Sequence, residues 1–198
     1  MKNENKSHFF AMVARMKLID RWALMKNTQK ENVSEHTMEV AAIAHALAVI
    51  RNKKFGGDLN CERVALLALY HDMPEILTGD LPTPVKYRNE EIRDVYRSIE
   101  NSACSTLLNM LPEEMQDMYE GCFFKKEEDE YLWKIVKAAD KISALTKCIE
   151  ERKAGNREFE FAEEASKNAI KNMDMPEADY FLDTFIDSYS LTLDQQKL

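Results

Sequence analysis

Three features of this 198-residue sequence predict an all-α fold. Glycine and proline number only five each, too few for the many turns of a β-sandwich or barrel. Alanine and methionine are common and valine is modest, the balance of a helical chain. Apolar residues make up 45% of the sequence and recur at spacings of three and four over long stretches. No repeat, low-complexity segment or linker divides the chain, so one domain over residues 1–198 is expected, large enough for a sizeable core.

The elements follow in order. Ser7 can cap a first helix to about Leu18, with Phe9, Phe10, Val13 and Leu18 inward. "IDRW" then breaks the pattern. Asn32 followed by Glu35 three residues later is a helix-start signature. The helix it opens places His36, Val40, Ile43, Leu47 and Ile50 on one face. Gly56-Gly57 ends it, and Asn60 can cap the next, whose "VALLALY" is apolar almost all round and reads as central and buried. His71 continues the phase of Val64, Leu67 and Ala68, and Pro74 ends or kinks that helix because it cannot donate to the carbonyl of Tyr70. Pro82 and Pro84 are expected to hold "DLPTP" extended. A long helix over Asn89–Met110 should turn Ile92, Val95, Tyr96, Ile99, Ala103, Leu107 and Met110 inward. Pro112 suits the first turn of another, ending near Gly121. Glu127 to about Lys153 follows, with Leu132, Ile135, Val136, Ala139, Ile142 and Ile149 inward and Gly155-Asn156 as its stop. Shorter helices near Phe161–Asn172 and Glu177–Ser188 complete the set.

A net charge of −8 and a pI of about 5.2 argue against a long nucleic-acid partner. An anionic ligand would have to be met by a local cationic site. The longest apolar run, Val40–Ile50, contains His45 and is too short to span a bilayer. The opening "MKNENKSHFFAMVARMK" lacks the apolar core of a signal peptide. Cys61, Cys104, Cys122 and Cys148 form no C-x-x-C pair, so small core residues in a reduced, cytoplasmic protein are expected, with no membrane partner.

The chemistry centres on "LALYHDMPE", where an apolar run ends in His71-Asp72 with Glu75 close behind. A carboxylate at a helix C-terminus faces the negative end of the dipole, and beside an apolar segment it also faces desolvation. A bound cation would offset both. Two further donors are candidates. His36 lies on a core-facing stripe, although by position alone a histidine donating to a backbone carbonyl is the commoner outcome. Asp140 has Val136, Ser143 and Ala144 as helical neighbours, although a solvated aspartate between Lys137 and Lys141 is the commoner fate. Together, two histidines and two aspartates offer mixed nitrogen and oxygen donors suited to Mn²⁺, Co²⁺, Fe²⁺ or Zn²⁺, and less to Mg²⁺. Arg21 and Trp22 can be read as a surface arginine and a core-edge tryptophan, or as a phosphate-binding guanidinium and its neighbour. Glu75 and Asp80 sit on a proline-stiffened segment able to hold a base near a water. Lys86 and Arg88 read as solvated, and His8 and His45 as structural.

The order His36, His71-Asp72, Asp140 resembles the H…HD…D signature of the HD-domain metal-dependent phosphohydrolases, an all-α helical bundle. "RWALM" (Arg21–Met25), "ENVSEH" (Glu31–His36), "YHDMPE" (Tyr70–Glu75), "LTGDLPTPVKY" (Leu77–Tyr87) and "KAADKISALTKCIEE" resemble the YfbR-type 5′-deoxynucleotidases over nearly the whole chain. Between HD and the glutamate, where that family varies, stand Met73-Pro74. The resemblance implies a homodimer that hydrolyses deoxyribonucleoside 5′-monophosphates to deoxyribonucleosides and phosphate, with one divalent metal per site. It implies His36, His71, Asp72 and Asp140 as ligands, with His36, Asp72 and Asp140 also bordering the substrate. Arg21 would orient the phosphate, Trp22 would lie against the sugar and exclude a ribose 2′-hydroxyl, and Glu75 and Asp80 would handle the attacking water. Asp80, Leu81, Pro82 and Thr83 would line the nucleotide pocket. The rival readings are an HD enzyme acting on nucleoside triphosphates, cyclic nucleotides or alarmones, a non-catalytic nucleotide sensor, and a helical scaffold with incidental histidines.

Overall fold

The computed structural model describes residues 6–86 and 88–196, which form ten α-helices and five short 3₁₀ segments. Among the described residues no strand occurs, and one isolated antiparallel bridge joins Asp20 to Asn32. The helices are α1 Phe9–Val13, α2 Val33–Lys54, α3 Cys61–Tyr70, α4 Glu75–Thr78, α5 Thr83–Lys86, α6 Glu90–Leu108, α7 Glu113–Phe123, α8 Glu130–Lys153, α9 Glu160–Lys171 and α10 Pro176–Phe185. No helix among the described residues is long and apolar enough to cross a membrane. The chain packs as two compact units. One comprises the residues up to Leu24, Lys30–Thr37 and Tyr70–Asp129. The other comprises Met25–Gln29, Met38–Leu69 and the residues from Glu130 onward.

The first unit is organised around Phe9, Met16, Val33, Met73, Cys104, Leu107, Leu111 and Phe123. Phe9 meets Tyr119 and Phe123 edge-on, at centroid distances of 5.6 and 6.2 Å. The expected first helix is α only to Val13, and Ala14–Leu18 winds as 3₁₀. Three residues per turn shift the facing, so Met16 goes inward. Phe10 and Leu18, expected inside, are exposed. The Asn32 start holds: Glu35 N–H donates to Asn32 Oδ1 at 3.0 Å, and Asn32 N–H donates to Glu35 Oε2 at 3.1 Å. This reciprocal cap fixes the turn that carries His36. "DLPTP" is extended only in part, because α5 begins at Thr83. Pro84 falls in its first turn, where a missing N–H costs nothing. Asn89 caps α6 by accepting from Ile92 N–H at 2.8 Å. Tyr96, Ala103 and Leu107 are buried on α6 as expected, but Val95 and Ile99 are exposed. The buried stripe of α6 is therefore narrower than its apolar content suggests.

The second unit packs around Val40, Ile43, Leu47, Val64, Leu67, Ile135, Ala139, Ile142 and Leu145. The α2 stripe faces inward as expected. Asn60 caps α3, accepting from Arg63 N–H at 2.8 Å. "VALLALY" is not buried all round, since Leu66 and Leu69 are exposed while Val64, Leu67 and Ala68 are covered. Gly155, at φ 85°, closes α8: its N–H donates to Arg152 C=O, and Asn156 N–H reaches Glu151 C=O. The sequence reading did not foresee Glu151, which is buried. Its carboxylate accepts from Thr28 N–H (2.9 Å), Thr28 Oγ1 (2.6 Å), Asn156 Nδ2 (2.8 Å) and the Lys147 ammonium. Burial alone would raise its pKa, but Lys147, Thr28 and Asn156 outweigh burial and hold it well below the usual carboxylate range. Residues Met25–Gln29 are thereby anchored to α8.

Because one side chain secures the entry to α2, Asn32→Ala should cost about 1 kcal/mol of stability. Urea unfolding of the variant against the parent protein measures this, and an unchanged midpoint would contradict it.

Candidate metal and catalytic centre

α3 ends at Tyr70, and residues 71–74 form a turn: Met73 N–H donates to Tyr70 C=O at 3.3 Å, and Glu75 N–H to Asp72 C=O at 3.0 Å. Met73 is 1% exposed and plugs the core of the first unit. That plug pins the turn bearing His71 and Asp72. Pro74, at φ −55° and ψ −30°, already has helical backbone and caps α4, so it leads directly into the turn that carries Glu75.

His36 is completely buried. Its Nε2 lies 3.5 Å from Asp72 Oδ2, and His71 Nε2 lies 3.1 Å from the same oxygen. One donor atom from each of His36, His71 and Asp72 falls within 4.8 Å of the others. Two donors each about 2.1 Å from one cation, at angles of 90° to 110°, stand roughly 3.0–3.4 Å apart. Two imidazole nitrogens and a carboxylate at these separations therefore fit a divalent transition metal. The Asp72 pKa would be raised by burial, but His71, His36 and Arg21 together hold it below the usual range.

Glu75 is in the opposite condition. Burial, then the Asp72 and Asp80 charges, push its pKa up to about 10, against the weaker pull of Arg21 and Lys86. Its Oε2 is buried with no hydrogen-bond partner among the described residues. Asp80 follows Gly79, whose φ of 72° turns the chain out of α4. Burial raises the Asp80 pKa as well, opposed first by Arg21. Leu81 and Pro82 are half-buried, and Thr83 is exposed at the start of α5. Tyr87, the last residue of the "LTGDLPTPVKY" motif, lies outside the described residues.

Arg21 and Trp22 occupy the segment joined by the Asp20–Asn32 bridge. Arg21 Nη1 donates to Glu31 Oε2 at 3.0 Å, and Trp22 Nε1 donates to the same oxygen at 2.8 Å. Sequence reasoning missed Glu31, although the "ENVSEH" motif begins with it. Lys86 is not solvated as expected. Its ammonium meets Glu100 at 2.7 Å and lies 4.7 Å from the Tyr96 ring centroid. His45 is exposed, off the His36 stripe. All four cysteines are free: Cys104, Cys122 and Cys148 are buried and Cys61 is partly so. Asp140 is half-buried on α8, in the second unit.

Between about pH 4.5 and 10 the folded protein holds a proton on Glu75 that the unfolded chain releases. Stability should therefore fall as pH rises through that window. In metal-stripped protein, Glu75→Gln should flatten this slope. The variant should match the parent near pH 4 and exceed it at pH 8, the gap widening by at most about 1.4 kcal/mol per pH unit. Parallel pH slopes in urea unfolding would contradict it.

The chain is similar to known proteins over nearly its whole length. A family model described as 5′-deoxynucleotidase YfbR-like matches residues 8–189. A 5′-deoxynucleotidase of Vibrio vulnificus (strain YJ016) is 54% identical over 189 residues, covering 96% of this chain and 97% of its own. One from Klebsiella pneumoniae (strain 342) is 49% identical over 191 residues, covering 96% of each. Among solved structures, an HD-domain phosphohydrolase from Listeria innocua aligns with a TM-score of 0.80 at 24% identity, over 96% of this chain and 92% of its own. An HD phosphohydrolase of cyanophage S-2L, bound to dA and one catalytic Zn²⁺, aligns at 0.64 with 17% identity, over 90% and 96%. The fold is thus the all-α HD-domain phosphohydrolase fold, and the chain belongs to the YfbR-like 5′-deoxynucleotidase family.

Proposed function

We propose that the protein is a metal-dependent 5′-deoxynucleotidase, releasing phosphate from deoxyribonucleoside 5′-monophosphates and discriminating against ribonucleotides. The observation that carries this reading is the convergence of His36, His71 and Asp72 beside two carboxyls of raised pKa, in a member of this family. His36, His71 and Asp72 would hold the metal. Asp140 is assigned as the fourth ligand on the H…HD…D order of the sequence. The donor set favours Mn²⁺, Co²⁺, Fe²⁺ or Zn²⁺, and the Zn²⁺ of the cyanophage protein is in keeping with that range. When bound, such a cation supplies Lewis acidity toward a phosphoryl oxygen and a water of lowered pKa.

The protein's own groups divide the remaining work. Arg21 binds and orients the phosphate. Asp80 takes a proton from the attacking water. Glu75 orients that water with Asp80, which passes the proton to the departing 5′-oxygen, so that water and phosphomonoester become nucleoside and phosphate. Trp22 lies against the sugar and leaves no room for a 2′-hydroxyl. Leu81, Pro82 and Thr83 line the nucleotide pocket, which His36, Asp72 and Asp140 border.

The two units are read as one functional domain over residues 1–198, supported by a family match that runs through both. A homodimer is supported by the outward apolar residues Val95 and Ile99 on α6. Four free cysteines support a reducing, cytoplasmic setting.

Chelation should abolish phosphate release from dAMP, and Mn²⁺ or Co²⁺ should restore it. Full activity after exhaustive metal removal would refute the metal role. Product analysis separates the rivals: pyrophosphate or triphosphate released from nucleoside triphosphates would mark a triphosphohydrolase, and nucleotide binding without turnover would mark a sensor. Trp22→Ala should lower the dAMP-to-AMP preference at least tenfold, and an unchanged ratio would remove Trp22 from sugar selection.

A further inference from the structure

The segment 19–33 folds back on itself. Val33 N–H donates to Ile19 C=O at 3.0 Å, and Arg21 N–H donates to Glu31 C=O at 2.9 Å. Glu31 therefore faces Arg21 across the Asp20–Asn32 bridge, and its position is set by main-chain bonds before its side chain is considered. From there a single oxygen, Oε2, accepts from both the Arg21 guanidinium at 3.0 Å and the Trp22 indole N–H at 2.8 Å. The guanidinium carbon stands 5.9 Å from the Trp22 ring centroid. The Arg21 and Glu31 side chains are only 12% and 13% exposed, so this is not a solvated surface pair.

Trp22 also has φ 58°, a left-handed backbone that a bulky residue rarely adopts. Such a conformation persists only where its surroundings over-determine it, and the bond from the indole to Glu31 is one such constraint. A carboxylate oxygen shared by two donors fixes the angle between them. In a nucleotide, the phosphate and the 2′ position are likewise at a set separation. A site that grips one and screens the other needs its two contacts rigidly related.

We propose that Glu31 is the positioning residue for sugar selection, holding the phosphate-binding Arg21 and the sugar-facing Trp22 as one rigid unit. This rests on the roles given to Arg21 and Trp22 in the proposed function. Glu31 itself need not touch the substrate. Removing it frees the indole to leave the left-handed pose, and the 2′ side of the sugar is no longer screened. It also loosens the guanidinium, so that phosphate binding weakens for deoxy- and ribonucleotides together.

The test is steady-state kinetics with dAMP and AMP on the metal-loaded full chain. Glu31→Ala should lower the ratio of kcat/KM for dAMP over AMP at least tenfold and raise KM for dAMP, with bound metal per chain unchanged. Glu31→Gln retains an oxygen able to accept from both donors and should recover most of the ratio. Glu31→Asp, one methylene shorter, should behave as the alanine variant does, and gives the same readout if the alanine variant does not fold. In a Trp133→Phe background, Trp22 fluorescence should become more accessible to acrylamide quenching in Glu31→Ala but not in Glu31→Gln. A folded Glu31→Ala or Glu31→Asp protein that keeps the parent ratio, losing activity equally on both nucleotides, would overturn the role of Glu31. A parent enzyme that does not distinguish dAMP from AMP would instead overturn the sugar-selection reading beneath it.

Discussion

One carboxylate oxygen, Oδ2 of Asp72, stands 3.1 Å from one imidazole nitrogen and 3.5 Å from another, and much of the first unit serves to keep it there. The capping box at Asn32 and Glu35 sets the start of α2, and so the rotation that turns His36 into the interior. The Met73 plug and the break before Pro74 stop α3 in time to set His71 and Asp72 in a turn. Burying two imidazoles and a carboxylate is costly unless their polar atoms share a partner. A divalent cation would meet that need, which is why packing and chemistry are hard to separate here.

Charge extends the same constraint outward. Asp72 is held ionised by its histidines, and its charge helps drive Glu75 the other way. Two carboxyls three residues apart are thus driven in opposite directions by their surroundings. Arg21 opposes the raised values of both Glu75 and Asp80 while its guanidinium is gripped by Glu31. Lys86, which also opposes both raised values, is likewise held in place, paired with Glu100. A chain of net charge −8 offers an anionic substrate little attraction except at such fixed points.

Features governed by local rules were legible in the sequence. The phase from His36 to Ile50, the caps at Asn32 and Asn60, and the end of α3 before Pro74 depend on residues within a turn of each other. Features set by winding or by distant partners were not. Leu18 turns outward because residues 14–18 wind as 3₁₀, which their composition does not announce, and Phe10 is exposed in α1 beside the buried Phe9. Val95 and Ile99 have helical periodicity, but periodicity does not say whether a neighbour covers a face. Glu31 gains its role from a backbone bridge ten residues after Arg21, and Glu151 from a loop 123 residues before it. In the site, the cluster of His36, His71 and Asp72 was readable because helix phase and the HD motif coincide there. The carboxylate that grips Arg21 and Trp22 was not, because loops carry no periodicity.

The most direct test of the account is metal binding, read apart from turnover. Metal-stripped protein dialysed against Co²⁺ or Mn²⁺ should retain one equivalent per chain. His36→Ala and Asp72→Ala, if folded by circular dichroism, should each lose tight binding. Stoichiometric binding of unchanged affinity in both variants would contradict the claim that this buried cluster is the metal centre.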